Sequence, residues 1–406
     1  VISEMPVEIV STVKQYLGAR RGDLLSFLRQ IIAIPSPTGS EGDVAKRVGE
    51  EMTRLGYDEV FVDQIGNAVG RIGHGPIKVL FDAHMDTVGA DQPGWTVDPY
   101  AGVIDGDTLY GLGSCDDKGS LSGMVYGAAA LKAAGFPTDQ ASIYIVGAVG
   151  EESCEGLGVG HLITKGGIRP DFVVIGESSS LGVRHGHRGR ALLSVTYQGK
   201  PCHASVPHLG DNPLDKIIPL LAGVKPLNQR FLEDPFLGRG SAVVTSVEVS
   251  SASLNSVPAA ARVYIDRRMT IGETRERILD EIKSVLGGYE ATIEVVKVDQ
   301  PSYTGYPRGG EEFFPPWALP VEHPLVQAGI EAARAALGRE PDVGRWDFST
   351  DGTFTAGAAK IPTIGFGPGD GKWCHSPNEQ VPISQLITAA GFYALVPWAL
   401  AQSRRA

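Results

Sequence analysis

The sequence predicts an α/β protein: a main α/β domain with a mixed, largely parallel sheet over residues 1–188 and 305–406, interrupted by a ferredoxin-like α+β insert over residues 189–304. Three observations carry this. At 406 residues the chain exceeds what one ordinary hydrophobic core organises. Apolar runs at residues 77–81, 142–149, 172–175 and 361–366 have the length and composition of buried strands and alternate with helical stretches. Between residues 190 and 298 the pattern reads strand, helix, strand, strand, helix, strand, the order of a ferredoxin-like sandwich.

In chain order, residues 23–34 form an amphipathic helix ended by Pro35-Ser36-Pro37, and residues 40–55 a second, with Ser40 to Asp43 placed as a capping box. Short strands at 59–63 and 68–72 precede the run at 77–81, which leads into His84-Met85-Asp86. On an extended chain His84 and Asp86 leave on the same side. A carboxylate beside an imidazole fixes its tautomer, for a metal or for proton transfer. Residues 120–134 read as a helix, so Asp116 and Asp117 stand at or just before its N-terminus, where acids also serve simply as caps. The run at 142–149 enters Gly150-Glu151-Glu152, and paired carboxylates beyond a buried strand need something cationic nearby. The run at 172–175 enters Gly176-Glu177, and that at 361–366 passes a glycine-rich turn into Trp373-Cys374-His375.

The insert begins with a half-buried strand at 190–198 and a mainly helical stretch at 213–231, interrupted by Pro219 and Pro226. Strands at 242–249 and 262–269, a helix at 274–286 and a strand at 291–298 complete it. A Pro, Gly and aromatic-rich stretch, residues 301–320, leads back.

The charge of −11, without any Lys/Arg cluster, argues against nucleic acid or an anionic membrane as a partner. No apolar run approaches the ~20 residues that span a bilayer. Residues 1–17 lack a basic-then-apolar signal pattern, so the expectation is a cytoplasmic protein. Only four cysteines occur, too few for a disulfide framework in so long a chain without an export signal. Each flanks one of the polar motifs: Cys115, Cys154, Cys202 and Cys374.

One pattern unites these motifs. His84, Glu151 or Glu152, Glu177 and His375 all follow the carboxyl ends of strands, where open α/β sheets place their ligand crevice, and Asp116 opens a helix at the same edge. Two histidines and three carboxylates suit zinc, or cobalt or manganese. Five donors exceed the needs of one catalytic zinc; they suit two ions roughly 3.5–4 Å apart sharing a bridging carboxylate.

With these motifs, and with Gly111 to Gly119 and Cys374-His375-Ser376-Pro377-Asn378-Glu379, the chain resembles the dinuclear-zinc aminoacylase, carboxypeptidase and dipeptidase family, which includes acetylornithine deacetylase and succinyl-diaminopimelate desuccinylase. The resemblance spans nearly the whole chain. It implies that His84 and Glu177 hold one ion, Glu152 and His375 the other, and that Asp116 bridges them; Asp117 is not assigned as a ligand. Asp86 resembles the residue that orients His84, and Glu151 the general base. In the insert, His203 resembles a lid histidine that reaches the active site of the partner subunit, which implies a homodimer and makes the insert a lid and dimerisation domain. Asn255 and Arg268 resemble the residues that hold a substrate carboxylate, with Arg267 the rival candidate. Residues 313–324 and 344–352 are similar to a bacterial subgroup with poorly defined substrates.

The implied reaction is hydrolysis of the amide bond of an N-acyl amino acid or short peptide with a free carboxylate. A dipeptidase or carboxypeptidase of the same family is the near alternative, and a catalytically silent metal-binding module the distant one. Glu151 speaks against the last, because a silent relative is free to lose the base. His74, His161, His185, His187, His208 and His323 are read as structural.

Overall fold

The computed structural model describes residues 4–91 and 93–403. Residues 1–3, part of the stretch read above for a signal pattern, and Gln92 lie outside the described residues.

The strand Ile77–His84 lies between Ala141–Ala148 and Phe172–Ile175 and runs parallel to both, with His84 opposite Ala148 and Asp82 opposite Ile175. Thr363–Gly365 continues the parallel block beside Phe172–Ile175. Antiparallel strands close the flanks: Ala68–Ile72 and Glu59–Val62 on one side, Val183–His187 and Trp317–Ala318 on the other. The sheet is therefore mixed, with its parallel strands at the centre. Ala141–Ala148 is buried along its whole length, as expected of a strand covered on both faces, hence its continuous apolar run rather than an alternation. The parallel centre brings the carboxyl ends of four strands to one rim.

The helix Lys118–Ala133 is buried from Lys118 through Leu131. Glycines let its neighbour Ile383–Ser403 come close, since a Cβ on Gly127 would lie 2.6 Å from the Ala390 carbonyl. The segment Ile383–Gln402 is long and apolar enough to cross a membrane by length and composition, which corrects the expectation that no such run exists. Most of it is buried against Lys118–Ala133 and Pro324–Leu337, the environment of a core helix.

Three further differences have local causes. The second helix starts at Gly42 and its N-cap, Glu41, is already helical, so Ser40 lies outside and no capping box forms. Pro219 and Pro226 lie within a continuous helix, Pro213–Leu227, capped by Asn212, whose Oδ1 accepts from the Leu214 amide at 3.1 Å. Helices Val7–Ala19, Leu157–Thr164, Pro324–Leu337 and Ile383–Ser403 are additions to the predicted set.

A second, antiparallel sheet has the order Ser241–Ser250, Ala260–Met269, Gly189–Gln198, Thr292–Val295. That places the second, third, first and fourth strands of the unit side by side, the ferredoxin-like arrangement read from the sequence. Helices Pro213–Leu227 and Arg275–Lys283 share its core, built on Leu193, Val263, Ile265, Leu220 and Ile282. Phe313–Phe314 adds to Gly189–Gln198, so pairing with this sheet continues past residue 304. The edge strand Ser241–Ser250 is open, with Val243, Val247 and Val249 exposed by 58%, 41% and 45%.

Candidate metal centre and active site

Five candidate donor side chains, with Glu151 beside them, meet at the rim. His84 closes its strand, Glu151 and Glu152 lie just past Ala148, and Glu177 just past Ile175. Asp116 precedes the helix Lys118–Ala133, and His375 follows the turn Gly371–Trp373 with a left-handed φ of 54°. That conformation is uncommon for a residue with a side chain and marks a constrained position. His84 Nε2 lies 2.9 Å from Asp116 Oδ1 and 3.7 Å from Glu177 Oε1. His375 Nε2 lies 3.3 Å from Asp116 Oδ2 and 3.0 Å from Glu152 Oε2. Asp116 thus presents one carboxylate oxygen to each histidine.

The electrostatics are those of concentrated, buried negative charge. Burial pushes Glu151, Glu152 and Glu177 above the usual carboxylate range. Burial also acts to raise Asp116, but the imidazoles of His375 and His84 outweigh it and leave its carboxyl below that range. Hydrogen bonds to Asp116 and Glu152 hold the His375 imidazole up to about 10. A cluster that stabilises every positive charge placed in it, with two imidazoles and several carboxylates as donors, fits divalent ions of the borderline class. Donor atoms of His84, Asp116 and Glu152 lie within 4.8 Å of one another, as do those of His84, Asp117 and Glu177. Asp117, not assigned as a ligand from the sequence, is buried and is a member of this second group.

Asp86 sits differently from its expected role. His84 Nδ1 bonds to the Asp86 backbone carbonyl at 2.8 Å, whereas the nearer carboxylate oxygen is 3.7 Å away. The carboxylate instead accepts the amides of Glu151 and Glu152, each at 3.2 Å, and so holds the loop that carries them.

A cleft of about 400 Å³ opens over the rim, lined by Glu151, Glu155, Arg190, Asp266, Arg268 and Phe348 among others. Of the predicted substrate contacts only Arg268 reaches it. Its guanidinium is paired with Asp266 through Nε at 2.7 Å and Nη2 at 3.2 Å. Arg267 points the other way, fully buried over Phe231 and bonded to Glu273 and Glu281. The rivalry between these arginines resolves into a test. Arg268→Ala is expected to raise KM by about tenfold or more with a native unfolding midpoint. Arg267→Ala is expected to cost about 3–5 kcal/mol of stability, the usual loss when a buried ion pair is broken, measured by denaturant titration.

His203 and Asn255 stand apart from the cleft. Both are exposed at one end of the second sheet, His203 bonded to Ser205 Oγ at 2.7 Å and Asn255 accepting from Ser253 at 2.6 Å. The sequence reading missed the ionic cluster beside Arg268: Arg190 pairs with Glu155 at 3.1 Å, Asp266 at 3.3 Å and Glu312 at 2.9 Å. These residues come from four separate segments, so no local spacing announces them. His185 and His187 are engaged in packing and backbone contacts. His185 stacks on Phe236 at 4.3 Å. Buried His187 bonds to the Arg188 carbonyl and the Thr350 amide, and burial lowers it to about 4.

Cys115 and Cys374 each precede a donor residue, and their sulfurs are 3.7 Å apart. Treatment with hydrogen peroxide is expected to remove two titratable thiols and most of the activity together, both restored by dithiothreitol. Unchanged activity after loss of those thiols would limit the pair to packing.

The fold and the donor rim have a family. The Peptidase family M20/M25/M40 pattern matches residues 80–398, and the chain belongs to that family. It is a hydrolase of amide or peptide bonds. Among its relatives is uncharacterized protein YgeY of Escherichia coli (strain K12), 39% identical over 392 residues, which are 96% of each chain. The succinyl-diaminopimelate desuccinylase of Rhodospirillum centenum is 27% identical over 92% of this chain and 96% of its own. The di-peptidase Dug1p from Saccharomyces cerevisiae shares the fold, with a TM-score of 0.75 at 18% identity over 98% of this chain and 99% of that one.

Proposed function

We propose that the chain is a two-metal deacylase that cleaves the amide bond of an N-acyl amino acid or short peptide bearing a free carboxylate. The observation that carries this reading is Asp116, with one oxygen toward His84 and the other toward His375, beside an uncommitted Glu151 in the cleft. We assign one ion, most simply zinc, to His84, Glu177 and Asp116, and the other to Glu152, His375 and Asp116. Manganese and cobalt suit the same donors. When bound, such a pair acidifies water and polarises a carbonyl oxygen.

The chain's own groups do the rest. Glu151 takes a proton from the attacking water and returns it to the leaving amine. Asp86 fixes the loop that aims it. Arg268 receives the substrate carboxylate. His203 and Asn255, exposed on the second sheet, are assigned to the active site of a second copy, His203 donating to the developing oxyanion. The open edge strand with Val243, Val247 and Val249 supports that pairing, since an unprotected apolar edge invites another strand. The test is a panel of N-acyl amino acids and dipeptides assayed with zinc, manganese and cobalt. Metal-dependent release of the amine from carboxylate-bearing amides is expected. The profile across the panel separates deacylase from dipeptidase, and a fully metallated protein inert toward every amide would overturn the reading.

A further inference from the structure

The loop that carries Glu151 is held from behind by residues outside the cleft. The Asp86 carboxylate is fully buried, and besides the amides of Glu151 and Glu152 it accepts one more hydrogen bond, from Thr38 Oγ1 at 2.6 Å. Thr38 lies in the loop between helices Arg21–Ile32 and Gly42–Arg54. That loop is joined to the chain around Asp86 by Ser36, whose hydroxyl donates to the Met85 carbonyl at 2.8 Å and whose carbonyl accepts from the Thr87 amide at 3.0 Å. The segment returning from the second sheet closes over the same place. Gln300 Nε2 donates to the Thr38 carbonyl at 3.3 Å. Gln300 and Arg308 are locked together, the Gln300 amide donating to the Arg308 carbonyl and Arg308 Nε to the Gln300 carbonyl, both at 3.1 Å. The buried Arg308 guanidinium lies against Gly150, where a Cβ would collide with Nη1 and where φ is +75°. Glycine is required there on both counts.

We infer that Thr38 is a positioning residue for the Glu151 base, acting through Asp86, and that Gln300 and Arg308 brace this relay from the segment that returns from the second sheet. The hydroxyl does two things at once. It gives Asp86 Oδ2 a second donor beside the Glu152 amide, and it fixes the carboxylate's rotation, which fixes both amides. A misplacement of the base by a fraction of an ångström is costly in rate and nearly silent in binding. The base role rests on the hydrolase reading above; the loop-holding role does not.

The experiment compares Thr38→Val, which keeps the shape and removes the donor, with Thr38→Ser, which keeps the donor. In the zinc-loaded enzyme, Thr38→Val is expected to lower kcat about tenfold or more with KM within about twofold and two ions still bound. Thr38→Ser is expected to stay near wild type. Hydrogen exchange of the Glu151 and Glu152 amides, followed without substrate, is expected to quicken in Thr38→Val and not in Thr38→Ser. Gln300→Ala is expected to show the same pattern more weakly. Unchanged exchange in Thr38→Val overturns the inference, as does an equal loss in the Ser variant. Loss of metal together with rate also overturns it, by making Thr38 a support of the ion and not of the base. Should no amide be hydrolysed by the wild type, the exchange result still stands or falls alone.

Discussion

Glu151→Gln is expected to abolish turnover, with kcat reduced by about a thousandfold or more, while the protein retains two metal ions per chain. The substitution keeps volume and hydrogen-bonding shape but removes the ability to accept a proton. The side chain lies in the cleft beside the donor Glu152, and its own amide is tied to Asp86 at 3.2 Å, so the replacement stays in place. Burial holds the Glu151 carboxyl above its ordinary range, which suits a group that must both take and return a proton. Metal analysis alongside steady-state kinetics decides the matter. A fully metallated Gln variant within about tenfold of wild-type kcat would remove Glu151 from the role.

Asp116→Ala is expected to strip both ions and with them all but about a thousandth of the activity. Its carboxylate faces His84 with one oxygen and His375 with the other, so a single truncation strikes both halves of the site. His375→Ala, by contrast, is expected to lose one ion only, because His84 and Glu177 stay in place. Metal content after exhaustive dialysis against a weak chelator gives the comparison. Two ions retained in Asp116→Ala would show that no carboxylate is shared there. Equal losses in the two variants would make the pair bind as one unit.

Much of this site was legible because strand ends announce themselves. The apolar run before His84 and the run before Glu151 are buried on both faces, and such strands stop abruptly at polar residues. The βαββαβ order was legible for the same reason, as periodicity changes between elements. Other features turn on tertiary facts. Ser40 has the chemistry of a cap, but the chain at Glu41 is already helical, so the cap position passed it by. The helix Ile383–Ser403 mixes Ser384, Gln385 and Thr388 into an apolar stretch, and only its packing between two other helices explains why it tolerates so little charge. Asp86 was recognisable as a neighbour of His84, yet which of its groups meets the imidazole depends on the backbone beyond the strand. Arg190 joins acids from three distant segments, and nothing in its own surroundings in the chain marks it.

The way the donors straddle the second sheet also sets an order of assembly during synthesis. His84, Asp116 and Glu177 all precede the insert, whereas His375 follows it and needs Thr363–Gly365 seated beside Phe172–Ile175. About 200 residues separate Glu177 from His375. At ~5–20 residues per second the ribosome takes roughly 10–40 s to cross that interval. Asp116 itself waits for the same C-terminal segment, because its amide donates to Glu379 Oε1 at 2.9 Å and the helix that follows it packs on Ile383–Ser403, so on the two-ion reading neither half-site is finished before the chain is nearly complete.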